Sequence, residues 1–268
     1  MESLGVWLKM KTVLLAGGKG TRIGEESQFR PKPMVGIGGR PILWHIMKYY
    51  SSFGLQDYIV CCGYKGHMIK EYFLKYYQNN SNFMIDFAKE EIQYNDSMVE
   101  NWNVTLVNTG LNTLTAGRVK QIKKYVQDEE FLLTYGDGVA DVDIHKLIQF
   151  HHENGGACTI TVTKPAGRFG AVSMNKETGE VYGFKEKARS DQSYVNAGYM
   201  ICTADIFQYL GDGSEMLEAG PFERLIAAHQ LNAYIHDGFW SPMDNLRDKE
   251  YLEGLWASGQ APWKIWQE

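Results

Sequence analysis

The chain has 268 residues, of which 44% are hydrophobic and 22% charged, with a formal net charge of −5. This is the composition of a globular protein with a sizeable core. Its acidic balance excludes a general nucleic-acid binder, which needs a basic face.

The charge is uneven. Between Lys11 and Arg40 stand six Lys/Arg and only two acids, Glu25 and Glu26, a local basic patch suited to a small anionic ligand. No apolar run reaches 18 residues, so no membrane helix is expected, and the missing leader pattern points to the cytoplasm. The four cysteines, Cys61, Cys62, Cys158 and Cys202, lack zinc-type spacing and are expected as small buried thiols.

In chain order, Lys11–Ala16 reads as an apolar strand that runs into a glycine loop. Pro41–Phe53 follows as a helix with Ile42, Ile46 and Tyr49 on one face, then Asp57–Cys62 as a buried strand ending at Gly63. Lys65–Tyr77 is helical, Asn103–Val107 is a strand ending at Thr109-Gly110, and Gly117–Val126 is a basic helix. Phe131–Tyr135 is a strand closed by Gly136-Asp137-Gly138, followed by a helix over Ile144–His152. This succession predicts an α/β fold: a mostly parallel, Rossmann-like sheet with helices on both faces. Its ligands belong outside the carboxyl ends of the strands, so the turns at Gly17, Gly63, Gly110 and Gly136 should share one rim.

After Gly155 the pattern changes. Cys158–Thr163, Gly170–Met174, Glu180–Lys185 and Val195–Cys202 are short segments between polar turns, which predicts antiparallel additions. Helices over Ala204–Leu210 and Pro221–Gln230, a strand near Ala233–His236 and a helix over Asn245–Trp256 complete the chain. With no linker or repeat, one domain is expected over residues 1–268, with the change of pattern separating an 11–155 half from a β-rich 156–268 half.

The loop Leu15-Ala16-Gly17-Gly18-Lys19-Gly20-Thr21-Arg22, with Pro31-Lys32-Pro33 after it, carries the chemistry. Glycines bring backbone amides close to a phosphate chain, and Arg22 and Lys32 supply charge. A dinucleotide fingerprint and a Walker loop both fail by one register, because Lys19 is followed by Gly20 and the glycine after Gly20 is Gly24.

Ala-Gly-Gly-x-Gly-Thr-Arg followed by Pro-Lys-Pro resembles the signature of the sugar-phosphate nucleotidylyltransferases, which join a nucleoside triphosphate to a sugar 1-phosphate and release pyrophosphate. The likeness runs from Met10 to Trp266. It takes in Pro41-Ile42-Leu43-Trp44-His45, Cys61-Cys62-Gly63-Tyr64-Lys65-Gly66, Tyr135-Gly136-Asp137-Gly138 and Gly238-Phe239-Trp240, and it is greatest toward the branch that uses CTP and glucose 1-phosphate.

That resemblance implies a Mg²⁺ held by Asp137 and Asp244. It implies catalysis by Arg22 and Lys32, with Lys32 also meeting the sugar phosphate. The nucleotide would lie against residues 15 to 22, Gly136, Thr113 and Arg118. For the sugar phosphate it implies Glu186, Lys187, Asn196 and Gly198. It also implies a homo-oligomer, for which the aromatic tail of Trp256, Trp263 and Trp266 is the candidate packing surface. From the residues alone Asp137 remains a possible turn residue, Asp244 a possible helix cap and Arg118 a possible exposed helix residue. Two other functions stay open: the same transfer with dTTP or UTP, and a non-catalytic sugar-nucleotide sensor.

Overall fold

The computed structural model describes residues 10–20, 29–164, 171–175, 178–185 and 194–267. In chain order β1 (Lys11–Ala16) leads through a 3-10 turn at Lys32–Met34 to β2 (Gly36–Ile37), β3 (Arg40–Pro41) and α1 (Ile42–Ser51). Next come β4 (Asp57–Cys62), α2 (Gly66–Leu74), α3 (Tyr76–Asn79), β5 (Ser81–Asp86), β6 (Glu91–Ser97) and β7 (Asn103–Asn108). Then follow α4 (Thr115–Gln121), α5 (Lys123–Val126), β8 (Phe131–Tyr135), β9 (Gly138–Ala140), α6 (Ile144–Asn154) and β10 (Cys158–Thr163). The remaining elements are β11 (Ala171–Met174), β12 (Val181–Lys185), β13 (Val195–Cys202), a 3-10 segment at Ala204–Gln208, α7 (Gly220–Ala227), β14 (Leu231–Ile235), β15 (Trp240–Pro242) and α8 (Leu246–Ala257).

A seven-stranded sheet in the order β14-β10-β13-β8-β1-β4-β7 forms the centre. Its inner strands read as continuous apolar runs because both faces are covered. Alternation along β1 sends Leu14 and Ala16 into one core with α1 and α6, and Val13 and Leu15 into the other with α4 and α7. Each such fully buried leucine or isoleucine contributes roughly 1.5–3 kcal/mol by leaving water.

β1 runs parallel to β4 and β8, β4 parallel to β7, and β10 parallel to β14. Only β13 in this sheet runs against its neighbours, β8 and β10. The antiparallel character expected after Gly155 is therefore concentrated in β13 and in the hairpin β11–β12. The basic helix expected over Gly117–Val126 is two pieces meeting at Ile122.

Of the aromatic tail, Trp263 is a core residue and not part of an outer packing surface. Trp263 is 0% exposed, and Trp256 and Trp266 pack against the same core. The Trp263 indole donates to His45 Nδ1 at 3.3 Å, and His45 Nε2 donates to the Ile37 carbonyl at 2.8 Å.

Candidate active site

The glycine turns do share a rim. β1, β4, β7 and β8 end at the same edge of the sheet, and Arg118 on α4 ties the ends of β1 and β7 together. Its guanidinium donates to the Gly17 carbonyl at 2.9 Å, to Thr109 Oγ1 at 2.5 Å and to the Gly110 carbonyl at 3.0 Å. At 4% exposure it is not an ordinary surface helix residue. Burial lowers its pKa, yet a guanidinium stays charged in proteins, so a fixed cation stands at the base of the glycine loop. A Cβ on Gly17 would fall 2.0 Å from Arg118 Nη1, and one on Gly63 only 2.5 Å from the Gly17 carbonyl. Glycine is required at both positions by close approach.

A cleft of about 370 Å³ opens beside this rim. Leu15, Ala16, Gly17, Gly18 and Gly20 form one wall, Thr113 and Arg118 another, and Lys32, Asp137 and Asp244 the floor. A Cβ at Gly18 would meet nothing within 4 Å, so the backbone there faces open space.

The floor is assembled by two local devices. Pro31 and Pro33 bracket Lys32 in a 3-10 turn, which restricts the backbone and leaves the lysine 7% exposed. The two-stranded pairing of β9 with β15, in which Pro242 faces Gly138, brings together the residues flanking those strands. Asp137 and Asp244 therefore lie side by side, and the Met243 amide donates to the Asp137 carbonyl at 2.8 Å. Asp244 does not cap the following helix. Asn245 does, accepting from the Asp248 amide at 3.0 Å within a capping box, which leaves the Asp244 carboxylate to turn into the cleft.

Lys32 Nζ lies 2.7 Å from Asp137 Oδ2 and 2.5 Å from Asp244 Oδ1. Burial works against the charge on Lys32, but the two carboxylates outweigh it and hold its pKa above the ordinary lysine value. The carboxylate oxygens thus converge on one point already occupied by a cationic group. Two hard oxygen donors with an open cleft in front fit a divalent cation that takes its other ligands from phosphates and water. Among the described residues no group of three or more His, Cys, Asp or Glu offers an alternative metal site.

Other expected residues fall elsewhere. Lys19 is exposed and lies off the cleft lining. Gly136 acts through its backbone, its amide donating to the Leu15 carbonyl at 3.1 Å. Asn196 Oδ1 accepts from the Gly198 amide at 2.9 Å. Gly198 has φ +83° and sits against the ring of Tyr135, which does line the cleft. Thr21, Arg22, Glu186 and Lys187 lie outside the described residues.

Sequence reasoning missed Tyr135, Thr115 and Met216 on the cleft wall. The Tyr135 phenol donates to Glu218, and the Leu217 amide donates to Thr115 Oγ1 at 2.7 Å, so the segment around Met216 closes against α4. A Gly213 Cβ would lie 3.1 Å from Gly117 Cα, and this glycine-on-glycine approach was the one available signal for that contact.

The cysteines have no part in this chemistry. All four are buried and free, and burial pushes Cys61 up to about 12 and Cys62 up to about 11, far from thiolate formation at neutral pH.

A doubly covered, mostly parallel sheet with a glycine-walled, carboxylate-floored cleft at its carboxyl edge is the frame of a nucleotidyltransferase. The chain belongs to the nucleotidyl transferase family, whose model matches residues 11–247. Over 259 residues it is 49% identical to a glucose-1-phosphate cytidylyltransferase of Salmonella typhi, covering 96% of this chain and 100% of that one. It is 42% identical to a probable glucose-1-phosphate cytidylyltransferase of Bacillus subtilis, again over 96% and 100% of the two chains. Among solved structures, HddC from Yersinia pseudotuberculosis complexed with GMP-PN superposes with a TM-score of 0.73 at 22% identity, over 92% of this chain and 99% of that one. A putative glucose-1-phosphate thymidylyltransferase from Bacillus anthracis gives 0.75 at 15% identity, over 97% and 98%, and shares the fold.

Proposed function

We propose that this enzyme transfers a cytidylyl group from CTP to α-D-glucose 1-phosphate, giving CDP-glucose and pyrophosphate. The observation that carries the reading is the convergence of Lys32, Asp137 and Asp244 on the floor of a cleft walled by the glycine loop. The full-length likeness to the Salmonella typhi enzyme supports the choice of base and sugar.

The reaction needs no covalent enzyme intermediate. A phosphate oxygen of glucose 1-phosphate forms a bond to the α-phosphorus while the bond to the β-phosphate oxygen breaks, and pyrophosphate leaves with the electron pair. The protein contributes position and charge. Backbone amides from Gly17 to Gly20 take the triphosphate in the open space beside Gly18. Lys32 releases its carboxylates to meet the α-phosphate and the incoming sugar phosphate, and Arg22 offsets the charge that develops on pyrophosphate. Thr113 and Arg118 border the base. Glu186 accepts from sugar hydroxyls, Lys187 pairs with the sugar phosphate, and Asn196 and Gly198 on β13 bound the sugar.

Asp137 and Asp244 would hold the divalent cation, Mg²⁺ in this reading, which would supply charge neutralisation to the phosphates. The segments 11–155 and 156–268 divide the work between nucleotide and sugar. The enzyme acts in the cytoplasm as a homo-oligomer. Among the described residues no helix is long and apolar enough to cross a membrane.

Pyrophosphate release with glucose 1-phosphate and each of CTP, dTTP, UTP, ATP and GTP tests the reading. Turnover greatest with CTP is expected. Turnover greatest with dTTP or UTP would move the specificity, and none with any triphosphate would leave a sugar-nucleotide sensor.

A further inference from the structure

β9 and β15 hold Asp137 and Asp244 at one end of their pairing, and a cluster that takes no part in the chemistry holds the other end. The pairing is short: Trp240 faces Ala140, Ser241 faces Val139 and Pro242 faces Gly138. Pro242 has no N–H to give to the ladder, and so brief a two-stranded pairing is marginal by itself. A slip of one residue would shift Asp137 relative to Asp244 by about 3.3 Å and turn the side chains of one strand to the opposite face. The register therefore needs ties outside the ladder.

At the acid end the tie is the Met243 amide, which donates to the Asp137 carbonyl at 2.8 Å. At the far end the Phe239 carbonyl, one residue before β15, accepts twice. The Asp141 amide, one residue beyond β9, donates to it at 3.1 Å, and His236 Nε2 donates to it at 3.0 Å. The same ring nitrogen lies 3.0 Å from Asp141 Oδ1. His236 is itself fixed to the central sheet, its amide donating to the Val162 carbonyl at 2.8 Å where the β10–β14 pairing ends. Phe239 stacks on the buried ring of Trp263, with centroids 5.6 Å apart. The turn between them is tight: a Cβ on Gly238 would fall 2.4 Å from Asp141 Oδ1 and 2.6 Å from His236 Cε1. That close approach accounts for the glycine in Gly238-Phe239-Trp240. His236 is buried, and neither it nor Asp141 lines the cleft.

We infer that His236 is a positioning residue for the cleft floor. With Asp141 it fixes the Phe239 carbonyl, through that carbonyl the register of β9 against β15, and through the register the point on which the Asp137 and Asp244 carboxylates converge. This rests on the metal-binding role given to those two acids under the proposed function. Outer groups that orient metal ligands act on cation affinity and on turnover together. The glycine wall after β1 stands apart from this pairing, so its hold on a nucleotide should not depend on His236.

Calorimetric titration of Mn²⁺ into the nucleotide-free protein tests it, beside CTP binding in EDTA and turnover. His236→Leu should weaken Mn²⁺ binding and lower kcat, each at least about tenfold, with metal-free CTP binding within about twofold of the wild type. His236→Gln, which keeps an N–H at similar reach, should recover most of both losses. Gly238→Ala, whose methyl group would fall on His236 and Asp141, should also weaken Mn²⁺ binding, and it carries the test if His236→Leu does not fold. Wild-type Mn²⁺ affinity in His236→Leu, or in Gly238→Ala where that variant stands in for it, would overturn the inference. So would a glutamine variant no better than the leucine one. A loss of metal-free CTP binding as large as the loss of Mn²⁺ binding would mark general loosening and overturn it too. Asp137→Asn keeps the two readings apart: wild-type Mn²⁺ affinity in that variant would remove the metal site itself, whereas affinity lost there and kept in His236→Leu would overturn the positioning role alone.

Discussion

The Lys32 ammonium rests 2.5 Å from the Asp244 carboxylate, although 212 residues separate them in sequence. The same nitrogen bonds Asp137, so a lysine holds together the two acids proposed to bind the metal. A cation on those acids and the ammonium compete for the same oxygens. Lys32→Met should therefore lower turnover at least about 100-fold, and it should tighten Mn²⁺ binding to the nucleotide-free protein by on the order of tenfold. Calorimetric titration without nucleotide reads the second effect separately from activity. Unchanged or weaker binding would mean that Lys32 does not occupy the metal position.

The folded-state pKa of Lys32 is raised above 10.5, so its pairing stabilises the fold at neutral pH and up to that value, and is lost as pH rises through the folded pKa. Alkaline unfolding of the wild type should carry this loss and that of Lys32→Met should not.

Asp137→Asn and Asp244→Asn should each reduce kcat by about 100-fold or more, and each folded variant should unfold at a lower midpoint than the wild type, because the buried Lys32 ammonium loses one of its two carboxylates. Each amide keeps the shape of the carboxylate it replaces and loses its charge. Wild-type turnover in either variant would remove that residue from the metal site.

Two glycines of the rim separate packing from ligand approach. At Gly63 a new Cβ meets the Gly17 carbonyl and Arg118 Nη1, both at 2.5 Å. Gly63→Ala should cost roughly 1–3 kcal/mol in denaturant unfolding and raise the nucleotide KM as the loop shifts. At Gly18 the space is empty. Gly18→Ala should leave stability within about 0.5 kcal/mol and still raise the nucleotide KM, because the methyl group would stand where the phosphates are proposed to approach. An unchanged KM in Gly18→Ala would place the triphosphate elsewhere.

Acid should weaken the fold through two buried histidines. Burial pushes His45 and His151 down to about 4 from the ordinary 6.5. The unfolded chain takes up protons at 6.5 and the folded chain resists until about 4, so each histidine removes stability as pH falls through that window. The loss is on the order of 3 kcal/mol per histidine across the window. Urea unfolding at pH 7 and pH 4.5 measures it, and His45→Gln should flatten the pH dependence.

Much of this was legible in the residues. The apolar runs at Lys11–Ala16, Asp57–Cys62 and Phe131–Tyr135, each ending in glycine, fixed the parallel sheet and its ligand edge, because a strand covered on both faces can be built from little else. The residues of the cleft floor were legible through Pro31-Lys32-Pro33 and Gly136-Asp137-Gly138. Their convergence was not, since it depends on the register of β9 against β15. Arg118 shows the same limit. Its place in sequence suggested a nucleotide contact, but only the fold reveals that it first bonds the backbone beyond the ends of β1 and β7. The ribbon β5–β6 was invisible because its mixed pattern of Phe83, Met84 and Ile85 resembles a buried strand and sits in solvent.

The central claim, cytidylyl transfer to glucose 1-phosphate, is tested most directly by competition. Equimolar CTP, dTTP, UTP, ATP and GTP are incubated with the enzyme, glucose 1-phosphate and Mg²⁺, and the sugar nucleotides are identified by mass spectrometry at early times, when their ratios equal the ratios of kcat/KM. CDP-glucose should dominate the products. A dominant dTDP-glucose or UDP-glucose, or no sugar nucleotide at all, would contradict the account.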